Sequence, residues 1–251
     1  TTVEETTTAE ETTPAPTTEA PTTQKVTTTK KATATQAATT KAAMKAPTEK
    51  AEILKVFNEA SAKVVSAKPG FSKTVVTTVP SLEMGALAKI KIVRETISSF
   101  LGEGSSKVSV AKGKSNSAQY VKSALTASDL TKATCKLSAD GKTYDIVLTV
   151  KNEKNPLKGK SALGRFTNDY KDAAEIKKGL DEAGVTLDSL TMTTTSVVIT
   201  AKVDAASGQF TSLKYEIKTD AKMTNVKYTV ARVKEATGKM VNSVTFSGFK
   251  Y

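Results

Sequence analysis

The sequence predicts an α+β fold in which amphipathic helices cover one face of an antiparallel β-sheet. From about residue 191 to the end, apolar and polar residues alternate along successive segments, as they do in strands with one buried face. Three earlier segments repeat apolar residues at helical spacing instead. Residues 1–47 contain few apolar side chains other than Ala, which is typical of a disordered tail.

The tail, residues 1–47, is rich in Thr, Pro, Glu and Lys, and Thr occupies 18 of its first 40 positions. Ordering its backbone would cost roughly 1–2 kcal/mol per residue, with little apolar burial to offset that cost. We interpret it as a disordered linker that holds the domain, residues 48–251, away from a surface. The alternative is a remnant of cloning or maturation, although no tag-like sequence is present.

Three helices are predicted, and they must supply the cover of the sheet. The first spans residues 49–67, with Thr48 as its N-cap. The second spans 82–101 after Pro80 and is apolar on more than one side, so we expect it to be buried deeply. The third spans about 169–183, and its Ile176 and Leu180 face inward.

The strands begin with FSKTVVTTV, 71–79, and short strand-like runs, KVSVA and AQYVKSAL, follow within 107–126. Residues 132–152 form a hairpin with a two-residue turn at Asp140-Gly141. A change of alternation at Gly248 predicts a β-bulge in the last strand. In the C-terminal meander, FTSLKYEIKT, 210–219, and NVKYTVARV, 225–233, are predicted as two successive strands with a break between them. The residues of the meander predicted to face the core are Val197, Ile199, Ala201, Val203, Leu213, Tyr215, Ile217, Val226, Tyr228, Val230, Val244 and Phe246.

The formal net charge is +12, and Lys supplies nearly all of the excess, because Arg occurs only at 94, 165 and 232. Proteins that recognise nucleic acids usually use Arg for bidentate contacts to guanine or phosphate. No specific nucleic-acid partner is therefore expected. Dispersed Lys residues more often solvate the faces and edges of a sheet. Contact with an anionic cell-wall polymer is the alternative, and salt would screen it over about 10 Å at 0.1 M.

No catalytic residue, metal site or cofactor is predicted. The chain has no His, and the single residue Cys135 cannot build a thiolate metal site or a disulfide within the chain. GKSALG, 159–164, lacks the first Gly of a phosphate loop, and Ser109 and Lys112 would face opposite sides of a strand. An enzyme hypothesis therefore requires a hydrolase that works without His, through carboxylate or Ser–Lys chemistry.

The order of elements ends in a meander with a D-x-x-[ST]-G turn, formed by Asp204, Ser207 and Gly208. This layout resembles the LolA/LppX-like lipoprotein domains of Gram-positive (Firmicutes) bacteria. The resemblance implies a strongly curved antiparallel sheet, a half-barrel, with two or three helices across its concave face. It also implies a monomeric, non-catalytic domain outside the cell. A lipidated Cys before Thr1 would tether that domain to the outer face of the cytoplasmic membrane.

The candidate ligand site lies between the concave face of the sheet and the helix 82–101, and its ligand would be an apolar small molecule or lipid. A filled core has the same hydrophobic pattern as such a cavity, so both interpretations stay open. A polyanion binder and a hydrolase are the alternative functions. The residues predicted to line the site are Leu87, Ile90, Val93, Ile97 and Phe100 from the helix, with Tyr215 and Tyr228 opposite.

Overall fold

A computed structural model describes residues 45–114 and 118–251 of the chain. Its α-helices are α1 (Lys50–Ala67), α2 (Lys91–Phe100), α3 (Ala162–Phe166) and α4 (Ala173–Glu182). Its strands are β1 (Gly70–Glu83), β2 (Gly104–Val110), β3 (Leu130–Leu137), β4 (Thr143–Val150), β5 (Val185–Thr186), β6 (Ser189–Asp204), β7 (Phe210–Tyr228) and β8 (Ala231–Lys250). The predicted tail, 1–47, lies almost wholly outside the described residues.

The strands form one open, antiparallel sheet in the order β2-β1-β8-β7-β6-β4-β3, and the short strand β5 pairs with β7. The α+β class and the antiparallel sheet are therefore confirmed. The centre of the sheet is the C-terminal meander, whose strands β6, β7 and β8 have 16, 19 and 20 residues. These three strands are long enough to carry two groups of helices side by side on one face.

The alternation predicted in the meander is confirmed over most of its length. Along β7, the odd-numbered residues from Leu213 to Met223 are buried, and the residues between them lie on the open face of the sheet. The predicted break between residues 219 and 224 was wrong, because β7 continues unbroken to Tyr228. The chain turns instead at Thr229-Val230, and Val230 is therefore 95% exposed rather than buried.

The predicted helix 82–101 was wrong in its first half. Strand β1 continues through Pro80 to Glu83, with a register shift between Thr78 and Ser81 that accommodates the proline. A short 3₁₀ helix, Gly85–Lys89, follows, and extended backbone at Ile90 separates it from α2. The apolar residues of this region therefore belong to three different elements, β1, the 3₁₀ helix and α2, rather than to one long helix.

The boundaries of the other predicted helices move by a few residues. The N-cap of α1 is Glu49 rather than Thr48, and no side chain caps this end of the helix. Helix α4 starts later than expected, because Asp172 and Glu175 form a capping box. Its buried residues include Ile176 and Leu180, as the sequence predicts.

The hairpin of β3 and β4 is confirmed, and Gly141 has a φ of +70° as predicted. Its connection has four residues, 139–142, because the amide of Ser138 donates to the carbonyl of Thr143. The predicted strand AQYVKSAL is absent from the described part, 118–126. Backbone groups there bond to α1 instead: Ser61 Oγ donates to the carbonyl of Val121 and accepts from the amide of Ser123.

Two hydrophobic clusters lie on the covered face of the sheet. The first cluster packs α1 and α3 against β4 and against one half of β6, β7 and β8, with aromatic residues that include Phe57, Phe166 and Phe210. The second cluster packs α2 and α4 against the other half of the same three strands. The space between the two clusters is the part of this face that the helices cover least completely.

Candidate functional site

A band of polar residues crosses the covered face between the two clusters. It consists of Thr77 on β1, Asn242 on β8, Thr219 on β7 and Thr194 on β6. Thr77 is the register partner of Asn242, and Thr219 is the partner of Thr194. All four occupy inward positions, which are mostly apolar elsewhere along these strands. Such polar residues at core positions require hydrogen-bond partners, from the protein or from a ligand.

A cavity of about 370 Å³ lies above this polar band. Its rim includes the segment 168–172, in which Asn168 and Lys171 are exposed and therefore mark its mouth. Its size falls in the range of small-molecule sites, roughly 300–1,000 Å³. Its apolar walls are formed by Val75, Leu101, Pro156, Leu163, Met192, Ile217 and Met240.

Asn242 brings an unused hydrogen-bonding group to the floor of this cavity. Its Nδ2 donates to Thr77 Oγ1 at 2.9 Å, while its Oδ1 is buried and has no partner. If the amide group is turned over, Oδ1 accepts from Thr77 and Nδ2 is left free instead. In either orientation one polar atom of Asn242 lacks a hydrogen-bond partner among the described residues.

Tyr170, on the rim segment, is the second such residue. Its hydroxyl is buried, and it lies near the Ser161 side chain without a hydrogen bond of normal length. Burial raises its pKa to about 12, although the interaction with Ser161 lowers it, so the phenol stays protonated. Within residues 45–114 and 118–251, Asn242 Oδ1 and Tyr170 Oη are the only buried side-chain polar atoms that lack a partner. Both belong to residues that line the cavity.

The charged groups at the mouth are already engaged within the protein. Lys158 Nζ lies 2.6 Å from Glu175 Oε1, and Lys171 Nζ bonds to the carbonyl of Phe100 and lies over its ring. Asp172 caps α4. The site therefore presents apolar walls and neutral hydrogen-bonding groups rather than a free charge.

Asp169 is fixed from several sides. Lys73 Nζ lies 2.5 Å from its Oδ1, and the hydroxyls of Tyr215 and Thr167 donate to its Oδ2. Burial, followed by the charge of Asp169, raises the pKa of Tyr215 well above its usual range. This network anchors the rim segment to the sheet.

The structure brings six of the seven residues predicted to line the site together in the second cluster, where they form core rather than the wall of the cavity. Leu87, Val93 and Ile97 are fully buried in the second cluster, and Ile90, Phe100 and Tyr228 pack against it. Tyr215 belongs to the first cluster and reaches the rim only through Asp169. In the described chain, the residues that line the cavity include none of the seven.

The cavity residues that the sequence prediction missed had left a signal. In MVNSVTF, Asn242 occupies an inward position between Met240 and Val244, and Thr219 does the same after Ile217. A polar residue at a buried position of an alternating strand is the pattern that identifies the floor of the cavity. The rim could not be found in this way, since it is an irregular segment without periodicity.

The other candidates weighed in the sequence lie elsewhere. Cys135 is half-buried on the edge strand β3, and burial, followed by the nearby charge of Asp145, raises the pKa of its thiol. In GKSALG, Gly164 packs against the backbone of Leu157, so that a Cβ there would lie 2.0 Å from the Leu157 carbonyl oxygen. Asp181 and Glu182 form ion pairs with Lys177 and Lys178 along α4.

Across the residues that the structure describes, no group of three or more His, Cys, Asp or Glu side chains is arranged to hold a metal ion. Nor is any helix in that part of the chain sufficiently long and apolar to cross a membrane. A scan against protein-family models finds no match, and searches of curated proteins and of solved structures find no significant match either. The geometry of the cavity is therefore the basis on which a function is proposed.

Proposed function

We propose that the domain binds a small, uncharged, largely apolar molecule in the cavity and performs no chemistry on it. The observation that carries this proposal is the pairing of apolar walls with two unpartnered polar atoms, Asn242 Oδ1 and Tyr170 Oη. An unpartnered buried group costs roughly 1–3 kcal/mol, which a ligand with a matching donor or acceptor recovers. A ligand hydroxyl group can pair with either atom, because it can both donate and accept.

The proposal includes the setting expected from the sequence. The domain would work at the outer face of the cytoplasmic membrane as a monomer, held by a lipid anchor before Thr1 and a linker over residues 1–47. Curvature of the sheet into a half-barrel is supported by the register shifts at Thr78/Ser81 in β1 and Thr194/Ser196 in β6. Such irregularities bend strands, and both lie beside the polar band.

The test uses N-phenyl-1-naphthylamine, a neutral apolar fluorophore with one N–H donor. In Met240→Trp, the larger side chain fills the cavity from the sheet, and we expect saturable fluorescence enhancement to be lost. In the control, Val241→Trp, the same side chain lies on the open face, and binding should match that of the unmodified protein. Circular dichroism verifies that both variants fold.

Two outcomes of this experiment contradict the proposal. The first is the absence of saturable binding by the unmodified chain. The second is equal binding by Met240→Trp and Val241→Trp when both are folded, which would place the fluorophore outside the cavity. Extraction of native cells into membrane and soluble fractions tests the anchoring separately, and a signal confined to the cytosol would reject it.

The open face of the sheet gives the polyanion hypothesis less support than the cavity gives to ligand binding. Four of its lysines lie beside carboxylates, and these pairs reduce the positive charge at the centre of that face. The pairs are Lys202–Asp145 at 2.5 Å, Lys222–Glu235 at 2.6 Å, Lys218–Glu216 at 3.5 Å and Lys239–Asp220 at 3.8 Å. Exposed pairs of this kind contribute roughly 0–1 kcal/mol each.

A further inference from the structure

Lys73 is a buried charged residue on the covered face of the sheet. It lies on β1, its side chain is 3% exposed, and its Nζ lies over the ring of Phe246 at 5.5 Å from the centroid. Its Nζ is 2.5 Å from Asp169 Oδ1, and the Asp169 side chain is 19% exposed. The two residues are 96 positions apart in the chain.

This burial is unfavourable for a simple ion pair. Removing an ammonium and a carboxylate from water costs roughly several kcal/mol per ion, and good geometry must repay it. An ammonium group carries three N–H donors. Among the described residues, Asp169 is the one hydrogen-bond acceptor found for Lys73 Nζ. Asp169 therefore engages one of these three donors, and joining the two side chains into an uncharged group would remove the cost of burying both charges.

We propose that Lys73 and Asp169 are joined by an isopeptide bond that the folded protein forms on itself. This inference goes beyond the proposed ligand binding and does not depend on it. The fold holds the two groups 2.5 Å apart, with Lys73 almost fully buried. Such positioning can supply an effective concentration of roughly 10⁵ M or more. The product is a neutral amide, which is far cheaper to bury than two charges.

The chemistry requires only the two side chains. A proton first passes from Nζ to Oδ1 within the pair, which gives an amine and a carboxylic acid. The lone pair of Nζ then attacks Cγ, and the Nζ–Cγ bond forms. The Cγ–Oδ1 bond then breaks, and Oδ1, which lies beside the nitrogen, takes one of its protons and leaves as water. One amine and one carboxylic acid become one secondary amide and one water, with no change in oxidation state.

Tyr215 and Thr167 provide the groups that this step needs. Both hydroxyls donate to Asp169 Oδ2, which remains as the carbonyl oxygen and carries negative charge in the tetrahedral intermediate. The phenol of Tyr215 is fully buried, so it remains a proton donor. Asp169 also lines two cavities, of about 370 and 110 Å³, into which the released water can pass.

The test is the intact mass of the full chain, purified and denatured. We expect a mass lower than the sequence mass by one water. A Lys73→Arg variant keeps the positive charge but cannot form the bond, and it should show its full sequence mass. The matched control is Lys202→Arg, because Lys202 also lies 2.5 Å from a carboxylate, Asp145, but on the solvent-exposed face. This variant should keep the deficit.

Tryptic digestion locates the bond. We expect cleavage at Lys73 to be blocked and the peptide that contains it to be joined to peptide 166–171, which carries Asp169. A water lost elsewhere, such as by succinimide formation at Asp140-Gly141, would persist in Lys73→Arg. A folded wild-type chain with its full sequence mass overturns the proposal, since the two residues then form an ion pair only. This result needs no variant, so a folding failure of Lys73→Arg leaves the test decisive.

Discussion

Asp129 is the residue whose carboxylate is most completely enclosed by its partners. It is fully buried at the end of a 3₁₀ helix, Ala127–Asp129, and it accepts from the amide and the hydroxyl of Thr126, both at 2.9 Å. Arg165 Nε donates to it at 3.2 Å. Burial raises the pKa of this carboxyl, but the hydrogen bonds from Arg165 and Thr126 outweigh burial and hold the pKa below its usual range.

We expect Asp129→Asn to destabilise the protein at pH 7 by about 2–3 kcal/mol, because it removes the charge that Arg165 and Thr126 bond. A carboxyl with a lowered pKa in the folded state stabilises above its unfolded pKa, about 3.9, and loses this contribution as the pH falls through the folded value. Urea unfolding at several pH values should therefore show the difference from the unmodified protein shrinking as the pH falls below about 4.

Asp145→Asn is the control for this measurement, because Asp145 forms an exposed pair with Lys202. It should change stability by about 1 kcal/mol or less at neutral pH. Equal losses in the two variants would show that burial of Asp129 adds nothing. A loss in Asp129→Asn that is constant with pH would contradict the lowered pKa.

Asn242 is a residue that we expect to contribute more to binding than to stability. We expect Asn242→Leu to change the free energy of unfolding of the empty protein by about 1 kcal/mol or less, because removing the unpartnered oxygen offsets the loss of the hydrogen bond to Thr77. The same change should weaken N-phenyl-1-naphthylamine binding roughly tenfold, the equivalent of about 1.4 kcal/mol. Urea unfolding and fluorescence titration measure the two effects. Ser243→Val, on the open face of the same strand, should leave the affinity unchanged, and an unaltered affinity in Asn242→Leu would reject this role of the amide.

At the scale of elements, the hairpin of β7 and β8 contains a strained turn. Tyr228 pairs with Ala231, so the loop has two residues, and the first of them, Thr229, has a φ of +52°. Two-residue hairpin loops prefer Gly, Asn or Asp where φ is positive. A β-branched residue in this region is an outlier, and such strain costs of order 1–3 kcal/mol.

Thr229→Gly should therefore stabilise the protein, by about 1 kcal/mol after the greater freedom of Gly in the unfolded chain is subtracted. The urea midpoint measures this gain. Thr237→Gly makes the same chemical change within β8 and should destabilise by about 0.5–1 kcal/mol. A loss of stability in both variants would show that the turn at Thr229 is not strained.

The elements that the sequence predicted well are those in which burial alone decides the structure. The alternation in β6 and β7 depends only on which side chains are buried, and the same holds for the inward face of α1. The apolar pattern was therefore sufficient to predict both. The break placed near residue 220 and the helix 82–101 failed for another reason. Thr229 carries no turn signal, and Pro80 lies in a strand that accommodates it by a register shift. Pairing with neighbouring strands determined the structure in both regions, and a single sequence does not show which strands pair.

The candidate site also has one part that the sequence could predict and one part that it could not. Its floor could be predicted from Asn242 and Thr219, because each is a polar residue at a buried position of an alternating strand. Its rim depends on the pairing of Lys73 with Asp169, which are 96 positions apart in the chain. Nothing in the local sequence of either residue indicates its partner.

At the scale of the whole molecule, the two hydrophobic clusters share their strands. β7 supplies Leu213, Tyr215 and Ile217 to the first cluster and Ala221 and Met223 to the second. Its ladder to β8 is regular over this stretch, and its ladder to β6 has one register shift there, at Thr194/Ser196. Helices cover the halves separately, whereas the ladder between β7 and β8 is continuous. Local loss of one cluster would therefore expose strands that the other cluster needs in place.

We expect both halves to unfold together, although the polar band separates their cores. Leu180→Ala removes a fully buried side chain from the second cluster and should cost about 2–5 kcal/mol. Hydrogen exchange along β7, measured under conditions where global opening dominates, should show equal loss of protection near Tyr215 and near Met223. Phe57→Leu, in the first cluster, is the reciprocal variant and should lower protection equally at both positions. If Leu180→Ala affected Met223 alone, the sheet would not couple the two clusters, and each half would be a separate folding unit.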